Sequence, residues 1–443
     1  MSIVLKTGYG LIKGNEREFC NEFLGIRYAR AERFEYATPV DQTDEKEYDA
    51  TAFGNVCPQT RTYYEHLEVP ERLFYHNEFR KNIIYNYDED CLNLNIYTPK
   101  NAENAPVIIF IHGGGFNSGS VKDSCFDGEC YAKRGCILVT FNYRVGVLGY
   151  LTHKDIFDKY NREGNFGLDD QLLAIKWVKR HIKDFGGNPD NITLMGQSAG
   201  AISIQYLCLS HQNEGLFQHA FMMSGGGLFP KFALPRNAES TREYWLNFMD
   251  IAGCKSLDEL KKLDLHSLFT AIEEIKKIRK DNTYNTMPVV DGYLIPEPIE
   301  KMIADPIKID YVIGYTNNDM YAAIMAHIGN KFAKDNNGYV LFFDIDAPGT
   351  DKNGAFHSSE LRYMFDTLGS SHRPYTERDK EVSHMLIDYI VEFAKCGNPN
   401  GDGRPFWISK PGYALCVGKK NIKMGRPNSL KLLWNTLTKG DPK

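Results

Sequence analysis

Six short runs are apolar at consecutive rather than alternate positions, and no other feature limits the possible folds as much. They are Pro106–His112, Cys136–Tyr143, Asn191–Met195, Ala220–Met223, Tyr311–Gly314 and Tyr339–Ile345. A strand with water on one face alternates apolar and polar residues. A strand covered on both faces does not, so these runs suit central strands of a parallel sheet. Helical patterns lie between them. Leu168–Phe185 places Leu172, Ile175, Trp177, Val178, Ile182 and Phe185 at near-helical spacing before Gly186-Gly187-Asn188-Pro189 ends the helix. Ala199–Leu209 is a second apolar helix. The alternation predicts an α/β fold with a mostly parallel central sheet flanked by helices. Residues 228–280 are charged, helical in pattern and rich in Leu, Lys and Glu. We read 228–310 as a helical insertion over the C-terminal edge of the sheet, within one domain spanning 1–443.

Composition excludes several classes of function. A net charge of −5 on 443 residues, with both signs mixed along the chain, offers no basic patch for nucleic acid. No apolar run approaches the roughly 20 residues a membrane span needs. The N-terminus, Met1-Ser2-Ile3-Val4-Leu5-Lys6, has no signal-peptide pattern, so a cytoplasmic protein is expected. Ten cysteines in such a chain are expected to be reduced. Cys125 and Cys130 have no second pair at zinc spacing, and no metal or cofactor is expected.

The run Asn191–Met195 leads directly into Gly196-Gln197-Ser198-Ala199-Gly200 and then a helix. A Gly-x-Ser-x-Gly pattern alone arises by chance in roughly one chain in seven of this length. Its strand-before, helix-after context is what gives it meaning. There the glycines permit a tight turn that exposes the serine hydroxyl as a nucleophile, with a helix N-terminus behind it. A second glycine run, His112-Gly113-Gly114-Gly115-Phe116, follows another apolar strand. Acyl transfer needs preorganised backbone N–H donors for an oxyanion, and glycines let the backbone approach a substrate closely. His112 reads as a structural hydrogen-bonding residue.

A nucleophilic serine needs a base, and in this kind of fold the order is nucleophile, acid, then histidine. The late histidines are His327, His357, His372 and His384. His384 falls in a helical pattern, and position favours His357 over His372, since His357 follows the apolar run 339–345 and a Gly/Asp/Asn-rich loop. Asp319 is the only carboxylate between Gly314 and Asp335. Position alone leaves it open between triad acid and solvated loop residue.

The sequence resembles the type-B carboxylesterases, the family of para-nitrobenzyl esterases, liver carboxylesterases and cholinesterases. The matches run nearly end to end: Phe23–Ala29, Glu89–Asn95, Asn142–Gly146, Gly164–Gln171, Phe185–Pro189, Pro288–Gly292 and Gly397–Gly401. The resemblance implies an α/β-hydrolase fold and a serine esterase acting on small-molecule carboxylic esters through an acyl-enzyme. Gly354–Leu361 is similar to the family's catalytic-histidine segment, which selects His357, and the family's acid falls on Asp319. The oxyanion donors carry over to the N–H groups of Gly114, Gly115 and Ala199. Ser224 matches a serine that supports the acid.

The departures are specific. The acid is Asp319 where glutamate is usual, Gln197 stands for a glutamate beside the nucleophile, and Met320 replaces a glycine. The cholinesterases' choline-binding tryptophan falls on Lys81, which argues against a quaternary-ammonium substrate. Cys57 and Cys91 match a family disulfide pair, here expected reduced. The chain is shorter than typical members, which implies trimmed loops around the site. Two rival readings are a catalytically silent binding protein on the same fold, and an amidase or thioesterase using the same groups. The residues carry no sign of the oligomeric state.

Overall fold

The alternation of the apolar runs becomes physical in a single large sheet, seen in a computed structural model that describes residues 1–61, 70–228, 234–278, 286–319, 322–335 and 338–438. Its strands are β1 (Ser2–Lys6), β2 (Leu11–Glu16), β3 (Cys20–Arg27), β4 (Asn93–Pro99), β5 (Ala105–Ile111), β6 (Ile137–Phe141), β7 (Gly187–Gln197), β8 (His219–Met223), β9 (Asp310–Thr316), β10 (Tyr339–Asp344), β11 (Ala414–Gly418) and β12 (Ile422–Gly425). The order across the sheet is β1-β2-β3-β4-β6-β5-β7-β8-β9-β10-β11-β12. From β6 to β11 every neighbouring pair is parallel. Along this order both edges are antiparallel, and a thirteenth, two-residue strand, Tyr48–Asp49, lies off it and pairs parallel with β2.

The six apolar runs form β5 to β10. Along β5, Val107, Ile109 and Ile111 enter one core, while Ile108 and Phe110 enter the core on the opposite face. Successive side chains of a strand point to opposite sides. Both sides of this strand are dry, which is why its sequence shows no alternation. One face is covered by α1 (Phe166–His181) and α2 (Ala199–Leu209), with Trp177, Val178, Ile204 and Leu207 buried. The other is covered by α3 (Glu377–Cys396), whose Leu386, Tyr389, Ile390 and Phe393 are buried. A capping box starts α3: Thr376 and Asp379 satisfy each other's backbone donors, and Gly397 closes the helix in the left-handed conformation.

The edge strands are absent from the sequence reading. They pair in antiparallel fashion with one side partly exposed, so their residues mix polar and apolar types. The first helix ends at His181 and tightens into a 3₁₀ turn, Ile182–Phe185, before Gly186.

Between β8 and β9 the chain forms α4 (Ala238–Ile251), α5 (Leu257–Lys262) and α6 (Leu265–Ile278). Their buried faces, Tyr244, Trp245 and Phe248 with Leu268, Phe269 and Ile272, join the core on the α1 side of the sheet. Arg242 pairs with Glu163 at 2.5 Å, and the Arg33 guanidinium donates to the carbonyls of Leu260 and Leu263 at the end of α5. After α6, residues 286–290 return across the C-terminal ends of the strands, where Asn165 bonds both the N–H and the C=O of Val289. Among the described residues no helix is long and apolar enough to cross a membrane.

Candidate active site

Five loops that leave the C-terminal ends of parallel strands meet at that end of the sheet, where ligands bind in open α/β folds. They follow β5, β7, β8, β9 and β10, and each carries one of the residues singled out above.

Ser198 sits between the last residue of β7 and the first of α2, with φ 56° and ψ −123°. This is a strained backbone for a residue with a Cβ. Two hydrogen bonds hold it: Ser198 N–H donates to Met223 C=O at 2.8 Å, and Ile202 N–H to Ser198 C=O at 3.0 Å. The flanking glycines are steric requirements. A Cβ on Gly200 would lie 2.0 Å from the Ile111 carbonyl oxygen, and one on Gly196 2.7 Å from the Gly200 backbone. Ser198 stays partly exposed between buried Gln197 and Ala199.

Asp319 and His357 meet. His357 Nδ1 lies 2.8 Å from Asp319 Oδ2, and the carboxylate is fully buried. The two loops zip together to allow this. Asn318 N–H donates to Ala355 C=O at 2.9 Å, and its side-chain amide donates to Asn353 C=O at 2.9 Å. With Nδ1–H held by the carboxylate, Nε2 presents a lone pair. The group against Nε2 is the Gln197 side-chain amide, at 3.3 Å. No hydrogen bond joins the Ser198 hydroxyl to His357 in this structure.

The three N–H groups carried over as oxyanion donors have no acceptor among the described residues. Their loop is anchored through its carbonyls. His112 Nδ1–H donates to Gly113 C=O at 2.8 Å. Gly114 C=O accepts from the N–H groups of Asn117 and Ser118, both at 3.1 Å. In a trans peptide the N–H points opposite to the C=O. Tying back the carbonyls of Gly113 and Gly114 therefore turns the N–H groups of Gly114 and Gly115 outward. His112 is stacked on Tyr143, ring centres 4.3 Å apart, and burial pushes its pKa down to about 4. It is a neutral structural donor, as its position suggested.

Ser224 departs from its expected role. It is buried, but its hydroxyl has no hydrogen-bond partner, so it does not support Asp319 directly. Aspartate is one methylene shorter than glutamate, and its Oδ2 is turned to His357. Two of the other late histidines pair elsewhere. His384 is half-exposed on α3 against Asp366, and His372 is half-exposed beside Glu78. His327 lies on α7 (Ala322–Asp335). Lys81 is exposed, and Met320 falls outside the described residues. Cys57 and Cys91 are buried free thiols. Among the described residues no three His, Cys, Asp or Glu side chains converge as a metal site.

One residue beside the pair escaped the sequence reading. Glu360 is completely buried, and its carboxyl lies near the Gln197 side chain without a hydrogen bond of regular geometry. Burial drives its pKa up to about 7, with His357 opposing and Asp319 reinforcing the rise. The signal was a charged residue three positions after His357, inside a segment already quoted for its histidine.

A mostly parallel sheet whose strand-end loops gather around a serine on a strained strand-to-helix turn defines an α/β-hydrolase. The carboxylesterase family model matches residues 1–338 and 321–413. Para-nitrobenzyl esterase of Bacillus subtilis (strain 168) is 30% identical over 477 aligned positions, covering 93% of this chain and 92% of that one. Bile salt-activated lipase of Bos taurus is 40% identical over 409 positions, covering 71% of this chain and 67% of that one. The solved structure of a thermophilic pNB esterase superimposes with a TM-score of 0.79 at 26% identity, covering 98% of this chain and 99% of that one. This chain belongs to the carboxylesterase family, and the protein is a carboxylic ester hydrolase.

Proposed function

We propose that the protein hydrolyses small-molecule carboxylic esters in two steps, with Ser198 as nucleophile, His357 as base and Asp319 as the acid that orients it. One observation carries this reading: His357 Nδ1 lies 2.8 Å from Asp319, and its Nε2 faces the Gln197 amide, next in the chain to Ser198. In the first step His357 Nε2 takes the Ser198 proton as Oγ bonds to the ester carbonyl carbon. The carbonyl π electrons move onto oxygen, and the N–H groups of Gly114, Gly115 and Ala199 receive that charge. Collapse of the tetrahedral intermediate breaks the bond to the leaving alcohol, which takes the proton from His357. Water then attacks the acyl-enzyme with the same base, releasing the carboxylic acid.

Gln197 has a part in this sequence. Its amide faces Nε2 before substrate arrives, and it must give way when the serine hydroxyl swings onto that nitrogen. Catalytic hydrogen bonds often tighten only in the substrate complex. The amide adds no charge beside the imidazolium, unlike the glutamate usual there. The test is Ser198→Ala, assayed on a chromogenic ester together with labelling by an organophosphonate. Turnover and labelling are both expected to vanish while the thermal midpoint stays within a few degrees. Retained hydrolysis refutes the assignment.

A further inference from the structure

The oxyanion loop has an anchor that neither the family motifs nor the reaction calls for. We infer that Asn117 and Thr286 are positioning residues that tie the returning segment of the helical insertion to the oxyanion loop. The inference rests on the reading of the Gly114 and Gly115 N–H groups as oxyanion donors.

The loop's backbone makes the need clear. Gly114, Gly115 and Phe116 follow one another at φ 116°, 61° and 61°. Phe116 has a Cβ, and a left-handed conformation there persists only if its surroundings enforce it. The Phe116 ring is fully buried, and its C=O accepts from Gly146 N–H at 2.7 Å. Gly115 lacks such packing. It is exposed, and a Cβ built on it would meet no atom within 4 Å. No wall holds the peptide on that side, so polar ties decide its orientation.

Asn117 supplies two of them. Its N–H donates to Gly114 C=O at 3.1 Å, and its Nδ2 donates to Gly115 C=O at 2.9 Å. The Asn117 side chain is fixed in turn by Thr286, whose Oγ1 donates to Asn117 Oδ1 at 2.6 Å. Thr286 is buried and begins the segment that leads into Val289–Val290, paired with Arg236–Asn237 at the start of α4. A continuous chain of bonds thus runs from the insertion through Thr286 and Asn117 to the carbonyl of Gly115, fixing the peptide that directly follows the two donor N–H groups. Displacing the insertion would free the peptide after Gly115 and, through it, loosen the donors without touching the nucleophile or the base.

The test compares Asn117→Ala, Thr286→Val and Thr286→Ser with the parent enzyme and with Ser198→Ala. Thr286→Val keeps the shape and removes the donor. It is expected to lower kcat about fivefold at unchanged KM, the scale of one hydrogen bond. Asn117→Ala is expected to lower kcat about twentyfold, less than the 10²–10³ that follows loss of a donor itself. Affinity for a boronic acid transition-state analogue should fall in parallel with kcat. Thr286→Ser should restore both to within about twofold. A merely structural role would lower the thermal midpoint without this split between kcat and KM and without rescue by serine. Parent-like kcat in Thr286→Val and Asn117→Ala, with Ser198→Ala inactive, overturns the link and leaves the proposed mechanism standing. Retained hydrolysis in Ser198→Ala overturns both.

Discussion

Replacing Glu360 by glutamine should make the protein less sensitive to alkaline pH. The carboxyl is fully buried, and that burial outweighs the opposing pull of His357 and of nearby donors to lift it from its ordinary 4.5 to about 7. Below about pH 4.5 the group is neutral in both folded and unfolded chains, and its burial carries no ionisation cost. As pH rises, the unfolded chain loses this proton first, so unfolding becomes easier until the folded form also ionises near 7. A rise of about 2.5 at about 1.4 kcal/mol per pH unit amounts to about 3 kcal/mol of stability, fully present below 4.5 and lost above 7. Of this, about 2 to 3 kcal/mol falls between pH 5 and 8.5. Glutamine keeps the shape and cannot ionise. Any penalty from burying its amide is the same at both pH values and cancels in the comparison. Urea denaturation of parent and Glu360→Gln at pH 5 and 8.5 measures the difference directly. The parent should lose about 2 to 3 kcal/mol more than the variant over that interval. An equal loss in both would show that Glu360 ionises normally and would refute the reasoning.

Two further outcomes follow from the same neighbourhood and from the core. Gln197→Glu places a carboxylate 3.3 Å-scale close to His357 Nε2, where the amide now lies. Negative charge favours the imidazolium, so the acid limb of the kcat/KM profile should move to higher pH, by about one unit; an unmoved limb would count against His357 as the base. Asp170→Asn breaks a buried pair in which Arg144 Nε and a terminal nitrogen each lie 2.8 Å from the carboxylate, with side chains 5% and 0% exposed. It leaves an uncompensated guanidinium and should cost about 3–5 kcal/mol by denaturant titration. A cost below about 1 kcal/mol would show that the pair is replaceable.

The central sheet was legible in the sequence because its strands are buried on both faces. That condition leaves a direct trace, consecutive apolar residues, which Ile108, Ile109, Phe110 and Ile111 display and then divide between two cores. The turn at Ser198 was legible for a related reason. Gly196 and Gly200 lie against backbone atoms where no side chain fits, and the strand and helix on either side advertise themselves by pattern. The edge strands left no such trace, because partial exposure permits almost any mixture of residues.

Local sequence, with the family resemblance, named Asp319 and His357 but carried no distance between them. Their 2.8 Å contact depends on β9 and β10 lying side by side, and on Asn318 meeting the loop around Gly354. The idle hydroxyl of Ser224 also follows from tertiary geometry, since a missing methylene matters only once the carboxylate's direction is set. Glu360 and the Thr286–Asn117 chain belong to the same class. A charge written in sequence carries no mark of its burial, and a threonine 169 positions from an asparagine has none of its contact. Patterns record what each residue meets along its own element. Charges, tautomers and anchored carbonyls depend on what other elements bring to the same point, and only the folded chain decides that.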